Sequence, residues 1–199
     1  MEDKYLTLAK PSDALLKEKA SKFFAYAFPC QTTDQVKKLI DGLRAKYHDA
    51  RHFCYAYRFG PEKVVYRAND DGEPSNSAGK PILGQIQAFD LTDVLIVVVR
   101  YFGGTKLGVG GLISAYKEAC ILALEDAKII EKTVYTEFEI YHGYEEMNQV
   151  MRLIKERHLE MINQELTLKC VTTIGIRASE ADIMDAHLAT LHKLTYKRL

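Results

Sequence analysis

The chain has 199 residues, 47% hydrophobic and 27% charged, which is too apolar for a disordered polypeptide and long enough to bury a core without metals or disulfides. Its 27 Lys and Arg balance 27 Asp and Glu, which excludes a histone-like polycation and an acidic solvating tail, so any polyanion site must be a local patch. Four cysteines without a C-x-x-C pair (Cys30, Cys54, Cys120, Cys170), a polar Met1-Glu-Asp-Lys-Tyr5 start and no apolar run longer than 94–99 predict a cytoplasmic protein with free thiols, no metal, no cofactor and no membrane association.

In chain order, residues 21–28 read as a strand. Thr32-Thr-Asp-Gln35 fits a capping box, and Val36, Leu39, Ile40, Leu43 and Tyr47 follow on one helical face. Residues 53–59 and 64–67 read as paired strands around a Gly60-Pro61 turn. A polar loop, 69–77, leads through Ser77 as an ordinary N-cap into a helix over 78–89. Residues 94–101 are apolar on both faces, as a central strand is. A glycine loop over 103–111 and a nearly buried helix over 112–127 follow.

Near residues 129–132 the chain changes character: ten of the twelve glycines and all five prolines lie before this point, which places a domain boundary between 130 and 131. Beyond it, Val134, Phe138 and Ile140 share a strand face opposite Glu137 and Glu139, and Met147, Val150, Met151 and Ile154 recur at helical spacing. Residues 159–162 read as a partner strand, and Leu166, Leu168, Cys170, Ile174 and Ile176 alternate as a long one. Ser179-Glu-Ala-Asp182 reads as a second capping box, opening a helix with Ile183, Met184, Leu188 and Leu191 inward, and residues 194–199 form a last strand. The order β-α-β-β-α-β is the ferredoxin-like split motif.

Three segments carry the chemistry. Val97-Val-Val-Arg-Tyr-Phe-Gly-Gly104 runs into Leu107-Gly-Val-Gly-Gly-Leu112, and Gly103, Gly104, Gly108, Gly110 and Gly111 permit sharp turns and close backbone approach. A helix beginning behind them offers free N–H groups to an anion, with Arg100 and Lys106 as added cations. Neither Walker A nor G-x-G-x-x-G spacing is present, and tight packing beside a buried helix accounts for the same glycines. In Asn69-Asp-Asp-Gly-Glu-Pro74, Asp70, Asp71 and Glu73 can bind a cation or act as acid and base, or serve as ordinary turn residues. His52 and Cys54 of Arg51-His-Phe-Cys54 share a strand face, which is too few groups for a metal site and a common placing for a buried thiol. His48, His142 and His158 are isolated and read as solvated; His187 and His192 do not share a helix face. No G-x-S-x-G elbow exists, and no catalytic residue is assigned.

These segments, with Ser77-Ala-Gly-Lys-Pro81, closely resemble the Impact/YigZ family over residues of about 15 to 128. The resemblance implies an α+β protein: residues 1–130 as an Impact-type domain like domain 2 of ribosomal protein S5, and residues 131–199 as a ferredoxin-like βαββαβ domain. It further implies a pair of folds similar to the last two domains of elongation factor G, and a role in the regulation of translation. The resulting expectation is a translation-associated regulator that binds RNA or a ribosomal or translation-factor surface, with Arg51, Arg67, Lys80, Arg100 and Lys106 on phosphates and the 103–111 glycines in close approach. A small phosphate- or nucleotide-binding enzyme using the glycine and Asp-Asp-Gly-Glu loops is the alternative, and a protein–protein module the third reading.

Overall fold

The computed structural model describes residues 3–167 and 169–199, so Met1, Glu2 and Leu168, the last expected in a strand, lie outside the described residues. Strands β1 (Lys4–Leu8), β2 (Ser12–Glu18) and β3 (Ser21–Pro29) precede α1 (Thr33–Lys46). Strands β4 (His52–Phe59) and β5 (Val65–Asn69) lead to α2 (Gly79–Ala88), then β6 (Val94–Tyr101) and α3 (Gly108–Glu125). After β7 (Ile129–Thr133) come β8 (Tyr135–His142), α4 (Met147–Glu156), β9 (Glu160–Glu165), β10 (Cys170–Arg177), α5 (Ala181–Ala189) and β11 (Thr195–Arg198). The chain divides into two units, residues 5–132 and residues 133–199 together with Asp3 and Lys4. Among the described residues no helix is long and apolar enough to cross a membrane.

In the first unit, β6 lies at the middle of an antiparallel sheet of order β2-β3-β6-β4-β5. Its residues from Val94 to Val99 are wholly buried because both faces are covered. Val94, Ile96 and Val98 meet Ile82 and Ile86 of α2 and Ala115, Tyr116 and Ala119 of α3, whereas Leu95, Val97 and Val99 meet Val36, Ile40 and Leu43 of α1. The small side chains of Ala25, Ala27, Ala56 and Ala119 on the α2/α3 side let helix and sheet close up. The Thr32 capping box forms in full: Gln35 N donates to the Thr32 hydroxyl, and the Gln35 side chain accepts from Thr32 N.

The second unit is an antiparallel sheet of order β11-β8-β10-β9 with α4 and α5 packed on it. Phe138, Ile140, Ile174 and Ile176 supply the sheet side of its core, and Val150, Leu153, Met184 and Leu188 the helix side.

Several local expectations are corrected. Ser179 caps nothing; its hydroxyl donates to Asp3 Oδ2 at 2.7 Å, and α5 starts at Ala181 without a side-chain cap. Ile183 and Met151 face solvent, because the core-facing stripes of these helices pass through Ala181, Met184 and Leu188, and through Val150 and Leu153. Val134 lies between β7 and β8, and Leu166 precedes β10. His142 is buried, with Nδ1 donating to the Gly143 carbonyl and Nε2 3.0 Å from the Thr172 hydroxyl. Strands β1, β2 and β7 were not expected at all.

Candidate functional site

The site is assembled by the end of β6, the loop behind it, and the acidic loop between β5 and α2. That acidic loop is held by its own carboxylates. Asp70 Oδ1 accepts from the backbone N–H groups of Ala78 and Gly79 at 3.0 and 2.8 Å, and Oδ2 accepts from Asn76 N at 2.9 Å. Asp70, not Ser77, therefore caps α2; the Ser77 hydroxyl donates to the Pro74 carbonyl. Asp71 accepts from Phe53 N at 2.7 Å and pairs with Arg44 at 3.2 Å. Gly79 is needed here because an added Cβ would lie 2.5 Å from Asn69 N.

The Arg51-His-Phe-Cys54 segment is the other half of this brace. His52 donates from Nδ1 to the Asp71 carbonyl at 2.9 Å, and the Cys54 thiol donates to the Asp70 carbonyl at 2.9 Å. The Tyr116 hydroxyl lies 3.2 Å from the Cys54 sulfur and itself donates to Glu73 Oε1 at 2.9 Å. Burial, above all, pushes the Cys54 thiol and the Tyr116 phenol well up from their ordinary values, so both stay protonated donors at neutral pH. A thiol in this state is a poor nucleophile.

Glu73 joins the acidic loop to the glycine loop. Its side chain, only 4% exposed, pairs with Arg100 at 2.6 Å, and Arg100 is 7% exposed. The guanidinium also reaches Ser21 Oγ at 3.5 Å, but its buried Nε has no hydrogen-bond partner among the described residues. Next to it, Phe102 is 56% exposed, its ring centroid 5.6 Å from the Arg100 guanidinium. Gly103 follows, pressed so closely on the β2–β3 turn that a Cβ would lie 2.0 Å from the Ala20 carbonyl carbon. The chain then turns through Gly104 and Gly108, both with positive φ, into α3, whose first turn has no side-chain cap. The glycine loop is thus shorter than the 103–111 span: Gly108, Gly110 and Gly111 already belong to α3.

Phe102 is a wall of two clefts, each of about 300 Å³. One is lined by Arg51, His52 and Tyr101, the other by Glu73, Lys106, Leu107 and Val109, and Arg100 reaches both. Arg51, Lys106, Gly104, Gly108 and Gly110 are exposed, while Gly103 and Gly111 are half-buried. Lys80 is exposed on the first turn of α2, where the Asp70 carboxylate already occupies the helix N-terminus. Arg67 is not part of this arrangement: it stands on β5, opposite Tyr57, on the side of the sheet that α1 covers. Asp70, Asp71 and Glu73 each hold structural partners, and among the described residues no cluster of three or more His, Cys, Asp or Glu has metal-site geometry. The sequence reading missed Phe102 and Tyr116. The signals available were a large aromatic at the mouth of a glycine loop and a hydroxyl on an otherwise apolar helix face, which must find a buried partner.

The Impact N-terminal domain model matches residues 19–124. A Thermus thermophilus protein, the IMPACT family member in pol 5'region, is 39% identical over 140 residues, 70% of this chain and 75% of the relative. The IMPACT family member YigZ of Escherichia coli (strain K12) is 29% identical over 189 residues, 94% of this chain and 93% of the relative. A crystal structure described only as that of a hypothetical protein superposes with a TM-score of 0.75 at 28% identity, covering 100% of this chain and 98% of its own.

Proposed function

The chain belongs to the Impact family, and from that membership we propose that it is a cytoplasmic, translation-associated regulator that binds single-stranded RNA on the glycine-loop surface of its first unit. The observation that carries this reading is Phe102, an exposed ring between two clefts that both hold cations. Unpaired bases stack on such rings while phosphates follow the flanking positive charge. The uncapped first turn of α3 and Lys106 supply donors on one side of the ring, and Arg51 supplies them on the other, while Arg100 is held beneath the ring by its buried pair with Glu73. Because Asp70, Asp71 and Glu73 are engaged in bracing the loops, the acid–base or cation-binding alternative has less support.

We also assign the first unit, residues 5–132, to the ribosomal protein S5 domain 2-like fold and residues 133–199 to the ferredoxin-like fold. The β11-β8-β10-β9 order supports the second assignment, and the placing of β6 between β3 and β4 supports the first.

Fluorescence anisotropy with a labelled single-stranded RNA tests the function. About three phosphate contacts predict that affinity falls roughly 20-fold between 50 and 200 mM salt. Phe102→Ala should cost roughly tenfold or more through lost stacking, with the melting temperature unchanged. No binding at low salt, or binding indifferent to Phe102→Ala and Lys106→Glu, would shift the reading to a protein partner.

A further inference from the structure

On the α1 side of the same sheet lies a cleft of about 350 Å³ that the RNA-binding reading does not use. It arises because α1 packs over β6 and β4 and stops short of β5, the last strand of the sheet. Tyr55 and Tyr57 of β4 and Arg67 of β5 line it from the sheet side, and Lys37 and Asp41 from successive turns of α1. The Arg44–Asp71 pair also borders it, and this pair is self-neutralising. Lys37 and Arg67 form no ion pair or hydrogen bond among the described residues. Two cations without ion-pair partners among the described residues therefore line one cleft with aromatic walls, Lys37 from α1 and Arg67 from β5, and Asp41 adds a hydrogen-bond acceptor.

The tyrosine rings are parallel to within 9°, their centroids 6.5 Å apart, wider than the 4.4 Å between the directly stacked Tyr57 and Phe59. Tyr55 is half-exposed. We propose that this cleft binds a nucleoside phosphate, with the base against Tyr55, the phosphate between Lys37 and Arg67, and a ribose hydroxyl or exocyclic amine donating to Asp41. Each part of the lining answers one part of such a ligand: aromatic surface for the base, unpaired guanidinium and ammonium for the phosphate. The carboxylate argues against a bare anion, which it would repel, and for a ligand that also carries donors. The volume is in the range of single small-molecule sites and too small for a folded partner. This site is separate from Phe102 and the glycine loop, so it stands or falls independently of the RNA reading.

Isothermal titration of the full chain with AMP, adenosine and inorganic phosphate tests it. AMP should bind tighter than either fragment. The exposed pair Lys37→Glu and Arg67→Glu together should weaken AMP about tenfold or more while leaving adenosine nearly unchanged. Tyr55→Ala should weaken AMP and adenosine alike, which keeps the proposal open to test if the double variant misfolds. Lys106→Glu should leave AMP binding intact. No saturable heat with millimolar AMP, phosphate binding as tightly as AMP, or AMP binding insensitive to both sets of substitutions would overturn the assignment.

Discussion

Cys54, Cys120 and Tyr116 are buried acids whose protons the fold retains, and this has a measurable cost at high pH. Burial raises all three; for Cys120 it is the sole cause, and for Cys54 and Tyr116 it is the largest. In the unfolded chain a thiol ionises near about 8.5 and a phenol near about 10. A folded-state pKa above the unfolded one means that the stabilising contribution is complete below the unfolded pKa and is lost as pH rises past it. Each thiol should therefore remove up to about 1.4 kcal/mol of stability per pH unit above about 8.5, and Tyr116 should add to the slope above about 10. Urea denaturation from pH 7 to about pH 10.5 should show this decline, and Cys120→Ala should flatten it. A pH-independent midpoint would contradict the burial of these groups. At this scale the buried, structural character of the cysteines was legible from their apolar surroundings. The Arg100–Glu73 pair was not, since its members are 27 positions apart and nothing local marks them as partners.

Elements built on strong local patterns were readable, and those made by tertiary context were not. The Thr32 cap, the two-faced apolar β6 and the alternation of β10 all carry their signal in neighbouring residues. β2 alternates half-buried and exposed positions, and it turns into β3 through Lys19 and Ala20, both at positive φ, without the Asn-Gly or Asp-Gly that announces such a hairpin. The start of α3 was misplaced for a related reason. Glycine disfavours helix by about 1 kcal/mol per residue, yet Leu107 and Leu112 pack on the core and draw the first turn back to Gly108. The two kinds of glycine separate by substitution. Gly110→Ala meets nothing within 4 Å and should stabilise the protein by up to about 1 kcal/mol. Gly103→Ala would place its Cβ 2.0 Å from backbone and should destabilise by about 3 kcal/mol or more. Thermal melts of the two variants, moving in opposite directions, check this; a shared direction would refute the distinction between packing glycine and helix glycine.

For the molecule as a whole, the shift in composition near residue 130 marks a place that the chain treats as a strand: β7 runs Ile129–Thr133 and pairs with β1. A cut between 130 and 131 divides that strand. A fragment of residues 133–199 should give a cooperative melt and a mixed helix–strand circular dichroism spectrum, with marginal stability at so small a size. Its stability should also suffer from losing Asp3, which accepts from Val134 N and from the Ser179 hydroxyl. A random-coil spectrum would show that the second unit does not fold alone. The order of strands has a consequence for synthesis as well. β6 is hydrogen-bonded to β3 on one side and β4 on the other, yet it is the last of the five strands of its sheet to leave the ribosome. A nascent chain paused after Asn69 and before Val94 thus holds two apolar strands with their inner edges open, a form in which chains pair with one another. Only when Tyr101 has emerged are both edges closed, by a single segment and at one time.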